Sequence, residues 1–406
     1  MARKPNQGQP SPFIQLNSCE KDLHKMNAIK PCSEEEGMSN GVNSGPEEDD
    51  PVDQERQERE HFQRVINAFK YYRVHFLGKI EKNETFMSLM TTRQRELLTD
   101  YAEHLRQLRV CVEHNHEIIK LILQDVGVMF ENSRHDEQEF RGLSRPNLSE
   151  MEKVSSVLRQ VVRDWSVEGE AERRQCYQPI VDEIQRRFPP TGDTPLSSIQ
   201  VLVPGAGLGR LAFEIAKLGY ACQGNEFALF MLFASNFVLN RCRGTHLYRL
   251  HPWCTTHANH LSPEHQAAAV TFPDTDPSQM PADALFSMAA GDFLEVYTEP
   301  AQWHCVATCF FIDCASNIVQ FIETIYSILR PGGVWINMGP LLYHYSDMPS
   351  EESIEPTYQH LRKIITAVGF TFEKEEQGVQ TAYCQNQDSM LHWSYNSVFF
   401  VCKKPS

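Results

Sequence analysis

Residues 199–210 read Ile199-Gln-Val-Leu-Val-Pro-Gly-Ala-Gly-Leu-Gly-Arg210, and this stretch decides the fold. Ile199–Pro204 is a short apolar run, the pattern of a buried strand. It runs into Gly205-Ala206-Gly207-Leu208-Gly209 and then GRLAFEIAKLG, a helical pattern with a glycine stop. A glycine-rich turn between a strand and a helix is where ligands meet the backbone in doubly wound sheets. Glycine permits that approach because no Cβ stands in the way. Tight packing of the turn would use the same residues, so the motif needs context.

The context lies downstream. YACQGNE is a second strand ending at Glu226, and FALFMLFASNFVLNRC is a strongly apolar helix. LFSMAAGD and HCVATCFFID are further strands. NIVQFIETIYSILRPGG is a helix, VWINMGP a strand and YQHLRKIITAVGF a helix. Strands follow at about 370–375 and 397–402 with no helix between them, which suggests a hairpin. Strands alternating with helices predict a mostly parallel, doubly wound α/β sheet. Residues 245–284 look like an irregular insertion.

Upstream the period changes. HFQRVINAFKYYRVHF carries apolar residues at helical spacing, and similar patterns cover 93–112, 114–130, 151–165 and 171–188. Pro189-Pro190 close this region. The chain divides into an acidic, disordered tail (1–55), a helical domain (56–190) and an α/β domain (191–406). The tail assignment rests on Pro, Gly, Ser and the acidic runs Glu34–Glu36 and Glu47–Asp50.

Composition narrows the function. The 406 residues carry a net charge of −15, which disfavours a nucleic-acid substrate. No 20-residue window is apolar enough for a membrane span, and no secretory signal opens the chain. The 12 cysteines are scattered, with no CxxC pair. That favours free thiols in a reducing compartment, the cytosol and also the nucleus. His251, Cys254, His257 and His260 have loosely zinc-like spacing in a polar loop, but no partner pair exists elsewhere. No metal is expected.

The chemistry concentrates at strand ends. Glu226 stands where an acid receives ribose hydroxyls. Asp292, in Gly291-Asp292-Phe293, suits an exocyclic amine, and Phe293 suits a flat base; Gly-Asp is equally ordinary turn chemistry. Asp313 ends an apolar strand beside Phe310 and Phe311, unless it merely caps the next helix in company with Asn317. Tyr343, His344, Tyr345, Tyr383, Trp393 and Tyr395 suit a small, polar, planar ligand, or serve as core.

A dinucleotide fingerprint spaces its glycines GxGxxG, whereas here the third comes one position early. GxGxG, an acid, GDF and an apolar strand ending in Asp are together similar to the class I S-adenosylmethionine-dependent methyltransferase pattern. The closing hairpin resembles that family's antiparallel seventh strand. VLVPGAGLGR, LGYACQGNE, FMLFASNFVLNRC, ATCFFID, LRPGGVWINMGPLLYH, VRDW and ERRQCYQPI together resemble the carnosine N-methyltransferase family.

The resemblance implies a seven-stranded class I sheet with an added helical domain. It implies methyl transfer from S-adenosylmethionine to an imidazole nitrogen of carnosine, giving anserine. Gly205, Gly207, Gly209, Glu226, Asp292, Phe293 and Cys309 would hold the cofactor, with Arg163 and Trp165 closing over it. Asp313, His344, Tyr383 and Tyr395 would face the dipeptide, with Phe310 and Trp393 beside it. Trp393 stands where the family's pattern has tyrosine, and Ser394 departs too. A homodimer also follows from the resemblance. Two rival readings stay open here: a histidine methyltransferase acting on peptides or proteins, and a non-catalytic scaffold of the same fold.

Overall fold

The computed structural model describes residues 51–124, 126–128, 144–190, 195–349 and 351–406. The expected acidic tail lies outside the described residues up to residue 50. Helix α1 (Pro51–Ser88) begins within the last residues assigned to that tail.

The helical region continues with α2 (Thr92–Leu97), α3 (Thr99–Leu123), α4 (Leu148–Trp165), α5 (Glu170–Cys176) and α6 (Gln178–Arg187). The two patterns expected at 93–112 and 114–130 merge instead into α2 and one long α3. The break falls at Leu98, just before α3. Helix α4 starts at a capping box: Glu150 N–H donates to Asn147 Oδ1 at 2.8 Å, and Asn147 N–H to Glu150 Oε2 at 2.8 Å. Such a cap contributes about 1 kcal/mol and sets the register that carries Gln160, Arg163 and Asp164 inward.

The α/β part is built from β1 (Gln200–Pro204), α7 (Arg210–Lys217), β2 (Ala221–Glu226), α8 (Leu229–Arg241), β3 (Tyr248–Leu250), α9 (Pro263–Gln266), β4 (Val270–Phe272), β5 (Phe286–Ala290), α10 (Phe293–Val296), β6 (Trp303–Cys309), α11 (Ile318–Ile328), β7 (Leu329–Gly339), α12 (Tyr358–Val368), β8 (Thr371–Thr381) and β9 (Tyr395–Lys403). The seven-stranded sheet has the order β5-β2-β1-β6-β7-β9-β8. All neighbours through β7 are parallel, and β9 runs antiparallel to both β7 and β8. This is the class I methyltransferase arrangement, with β9 as the reversed last strand. The order changes direction at β1, so the cleft opens above the carboxyl ends of β1, β2 and β6.

The stretch at 245–284 is more ordered than expected. It holds α9 and a two-stranded antiparallel sheet, Tyr248–Leu250 against Val270–Phe272. It also docks on α3: Asn115 Oδ1 accepts from His251 N–H at 2.7 Å, and Asn115 Nδ2 donates to His251 O at 2.9 Å. Asn115 is fully buried, so these bonds satisfy an amide that would otherwise be costly inside.

Helix α8 is apolar on every side because both its faces are covered. One contacts the sheet layer; the other receives Phe62 edge-on to Phe233 at 5.4 Å and Phe69 against Phe230 at 5.5 Å. One hydrophobic cluster therefore runs from α1, α3 and α4 into β1 and β7. Each fully buried Phe or Leu contributes about 1.5–3 kcal/mol, and the helical region spends these side chains on the sheet's own core.

Candidate active site

The glycine turn is held open by its backbone. Gly205, Gly207 and Gly209 have φ of 65°, 55° and 81°, the left-handed region that side chains disfavour. A Cβ at Gly205 would lie 2.5 Å from Phe311 Cδ2. Gly207 faces the cleft: a Cβ there would stand 3.5 Å from Gln160 Nε2 of α4. Gly209 opens α7.

Glu226 closes β2 against this turn. Its Oε2 accepts from Gly207 N–H at 2.8 Å, and Oε1 accepts from Ala228 N–H at 2.8 Å and Phe227 N–H at 2.9 Å. Burial pushes its carboxyl above the usual range, and the same N–H donors pull it back. A carboxylate has about four lone-pair sites and three are used here, so one more donor can still be received. Asp292 caps α10 through Leu294 N–H, at 2.7 Å to Oδ1. Phe293 is turned inward, packed against Phe311, Phe321 and Tyr297 in the second core cluster.

Helix α4 roofs the cleft with Arg163, whose side chain is 3% exposed. Its Nε and Nη2 have no hydrogen-bond partner among the described residues. Glu172 Oε2 stands 3.4 Å from Nε, too poorly aligned for a hydrogen bond. Three rings frame the guanidinium: Tyr383 at 4.3 Å, Tyr177 at 5.0 Å and Phe310 at 5.5 Å. Buried guanidinium donors left open are expensive unless an anion fills them. Cys309 lies beside Arg163 and Cys176; burial and the Cys176 thiol push its own thiol well up.

Trp165 does not reach the cleft, contrary to the expectation. It is fully buried, stacked edge-on against Phe213 at 5.3 Å, and its indole Nε1–H donates to Leu208 O at 3.1 Å. Its part is to brace the glycine turn from behind. Both residues lie in α4, where side chains two apart point to different sides.

The acceptor end is organised by Asp313. Its Oδ2 accepts from Leu342 N–H at 2.7 Å, its backbone O accepts from His344 N–H at 3.1 Å, and Oδ1 has no partner among the described residues. The residue is 1% exposed, and burial raises its carboxyl above the ordinary value. The helix-cap alternative fails, because Asn317 alone caps α11 by accepting from Val319 N–H at 3.1 Å and Gln320 N–H at 3.4 Å. Phe310, at φ 53°, presents its ring to Tyr383 at 5.1 Å and Tyr395 at 5.9 Å. His344 sits at the exposed rim, 3.7 Å from Cys314 Sγ.

A cavity of about 570 Å³ adjoins this cluster, lined by Arg159, Gln160, Trp253, Asn259, Tyr383 and Trp393 among others. Trp393 is 64% exposed and stands at its rim, so it is the most peripheral of the expected ligand residues. The loop between β8 and β9 closes one side. Glu172 Oε2 accepts from Cys384 N–H at 2.8 Å and Oε1 from Gln385 N–H at 2.6 Å, while Met390 N–H donates to Asn259 O at 2.8 Å.

Several residues here were not singled out from sequence. Asp164 is fully buried; its Oδ1 accepts from Tyr177 O–H at 2.7 Å and Oδ2 from Gln160 Nε2 at 3.3 Å. Gln160 lies one turn before Arg163, on the same face of α4, and that spacing was the available signal. The His251, Cys254, His257 and His260 set does not converge. His251 Nδ1 faces Ala267 O at 2.8 Å, His260 Nε2 faces Thr256 O at 2.8 Å, and Cys254 lies near buried Asn115.

A sequence model of the carnosine N-methyltransferase family matches residues 141–406, most of the described cleft included. The chain belongs to that family. Carnosine N-methyltransferase of Mus musculus is 46% identical over 353 residues, covering 87% of this chain and 88% of its own. That of Schizosaccharomyces pombe is 38% identical over 357 residues, covering 84% and 94%. That of Drosophila melanogaster is 43% identical over 370 residues, covering 86% and 81%. Among solved structures, a phosphoethanolamine N-methyltransferase of Haemonchus contortus matches 62% of this chain and 58% of that one, at 15% identity and TM-score 0.37. The family membership rests on the sequence relatives, and the fold on the strand order. The chain is accordingly an S-adenosylmethionine-dependent N-methyltransferase by family.

Proposed function

We propose that this chain transfers a methyl group to an imidazole nitrogen of carnosine, giving anserine and S-adenosylhomocysteine. The observation that carries the acceptor assignment is the open Oδ1 of buried Asp313, which lies not at the strand end expected from sequence but in the 3-10 turn Ile312–Cys314 just beyond β6.

The cleft fits the cofactor. Arg163 has two buried donors without hydrogen bonds among the described residues, Nε only ion-paired to Glu172 at 3.4 Å, and these suit a methionyl carboxylate. Glu226 can take a ribose hydroxyl on its remaining acceptor site beside Gly207, with Gly205 and Gly209 shaping the turn. Asp292 suits the base edge, and Cys309 lines the floor beside Arg163. When bound, S-adenosylmethionine supplies a methyl group on a sulfonium, already activated for displacement.

The protein's work is alignment. Free imidazole has a pKa of about 6.5, so most of it is neutral at pH 7 and no strong base is needed. Asp313 Oδ1 accepts the N–H of one ring nitrogen, which leaves the lone pair of the other free to attack. As the ring becomes cationic, the same carboxylate stabilises it. Phe310, Tyr383 and Tyr395 hold the ring plane and exclude water. His344 and, at the rim, Trp393 meet the remainder of the dipeptide.

We further infer a homodimer through the α1–α3 end, where Phe86, Leu89, Leu97 and Val110 are 64%, 79%, 77% and 66% exposed. A cytosolic and nuclear location is consistent with the free thiols of the described cysteines. Among the described residues no helix is long and apolar enough to cross a membrane.

The test is transfer of a carbon-13 methyl group to carnosine, with the product read by mass and by NMR. A single methyl on a ring nitrogen is the expected result. A methyl on the β-alanyl amine, or transfer only to histidine within longer peptides, would overturn the reading.

A further inference from the structure

The acceptor end contains a second constellation. Asp313, Cys314 and His344 each offer one ligand atom, and these atoms all lie within 4.8 Å of one another. It is the one such group found among the described residues. Two main-chain N–H groups donate to Asp313, Leu342 N–H to the side-chain Oδ2 at 2.7 Å and His344 N–H to the backbone O at 3.1 Å, and tie together the two segments that carry it. The trio is therefore held by main chain, not by chance side-chain proximity.

The geometry is close to that of a metal already. Ligands of one tetrahedral zinc, at bond lengths of about 2.0–2.3 Å, stand about 3.3–3.8 Å apart. Cys314 Sγ and His344 Nε2 are 3.7 Å apart. The third ligand atom is an Asp313 carboxylate oxygen within 4.8 Å of the other two, on a residue 1% exposed whose Oδ1 has no hydrogen-bond partner among the described residues. A buried carboxylate with an open oxygen beside a thiol–imidazole pair suits a cation, which small side-chain shifts would bring to bonding distance.

The donor set names the ion. Sulfur, imidazole nitrogen and one carboxylate suit zinc, whereas magnesium and calcium need mostly oxygen. Three protein ligands leave a fourth position open.

We propose that Asp313, Cys314 and His344 form an inhibitory zinc site whose occupancy blocks the acceptor. Binding releases the Cys314 thiol proton to solvent as the sulfur takes the ion. It also occupies Asp313 Oδ1, the oxygen assigned to the acceptor's ring N–H. An acceptor imidazole entering the fourth position would give its lone pair to the metal and have none for methyl attack. The metal site stands on its own geometry; that the blocked ligand is carnosine rests on the function proposed above.

The test uses the full-length, untagged chain. Cobalt(II) alone is titrated in and its absorption recorded, and zinc alone is titrated by calorimetry. The parent is expected to show thiolate-to-cobalt charge transfer. In Cys314→Ser that absorption is lost and zinc affinity falls at least about tenfold, the loss even an outer-sphere partner produces. S-adenosylhomocysteine binding and the thermal melt of the variant report that it is folded.

Methyl transfer is then measured with free zinc clamped by a metal-ion buffer. Zinc is expected to raise the apparent KM for carnosine in the parent. Cys314→Ser should keep its turnover and need at least about tenfold more zinc for the same inhibition. No thiolate band, or a band unchanged in Cys314→Ser, overturns the site; a zinc effect on kcat alone overturns the blocking role. A cobalt band lost in Cys314→Ser, with no methylation of carnosine by the parent, supports the site and counts against the function reading only.

Discussion

Leu342 N–H donates to Asp313 Oδ2 at 2.7 Å, while Oδ1 has no partner among the described residues. The strand exit after β7 thus orients the carboxylate of the turn that follows β6. Asp313→Asn keeps a carbonyl for Leu342 but removes the anion. We expect kcat to fall by about 10²-fold or more, the scale of losing a preorganised charge partner. S-adenosylhomocysteine affinity should stay unchanged by calorimetry. Turnover at the parent rate would remove Asp313 from the mechanism.

The same substitution has an expected effect on stability. Burial raises the Asp313 carboxyl above its ordinary value. Its favourable contribution to folding is therefore present below about pH 3.9 and is lost as pH rises through the higher folded value. At neutral pH the ionised group costs stability. Asp313→Asn should melt no lower than the parent at pH 7 while turning over far more slowly. A markedly lower melting temperature would show that the carboxylate is structural.

The pH profile follows from the same residue. Asp313 must be ionised and the acceptor ring neutral. One group titrates above the usual carboxylate range and the other near about 6.5. The acid limb of kcat/KM should therefore steepen toward two protons in the parent. In Asp313→Asn the residual activity should lose only one proton's worth. An identical acid limb in both would contradict the assignment.

Arg163 gives a separable prediction for the cofactor. Lysine keeps the charge but cannot reproduce the planar fork of donors. Arg163→Lys is expected to weaken S-adenosylhomocysteine binding about tenfold or more, since a hydrogen bond to a charged group contributes about 1.5–3 kcal/mol. Calorimetry decides it, and an unchanged Kd would remove Arg163 from the cofactor site.

Trp165 tests the correction. Trp165→Phe strands the Leu208 carbonyl, at a cost of about 1–3 kcal/mol. The melting temperature should fall while the KM for S-adenosylmethionine rises less than in Arg163→Lys. A large KM effect with an unchanged melt would return Trp165 to the cleft.

What was legible in the sequence was local. The glycine turn, Glu226 at a strand end and Asp313 closing an apolar run are each read within a few residues, and the sheet follows from strand–helix alternation. What was not legible joins distant segments. Arg210 Nη1 donates to Asp274 Oδ1 at 2.6 Å, and Arg173 Nη2 to Asp274 Oδ2 at 2.6 Å. That carboxylate ties α5, α7 and the 245–284 insertion together, and nothing near Asp274 in sequence announces it. Trp165 was misplaced for a related reason. Motif matching gave its position in the chain, while its facing depended on whether its N–H met a ligand or the Leu208 carbonyl.

The central claim is most directly tested by competition. The chain is given labelled S-adenosylmethionine with equal concentrations of carnosine, free histidine and a longer histidine-containing peptide, and each product is separated by mass. Ring methylation of carnosine well ahead of the other two is expected. Preferential methylation of the peptide, with carnosine left unmodified, would contradict it.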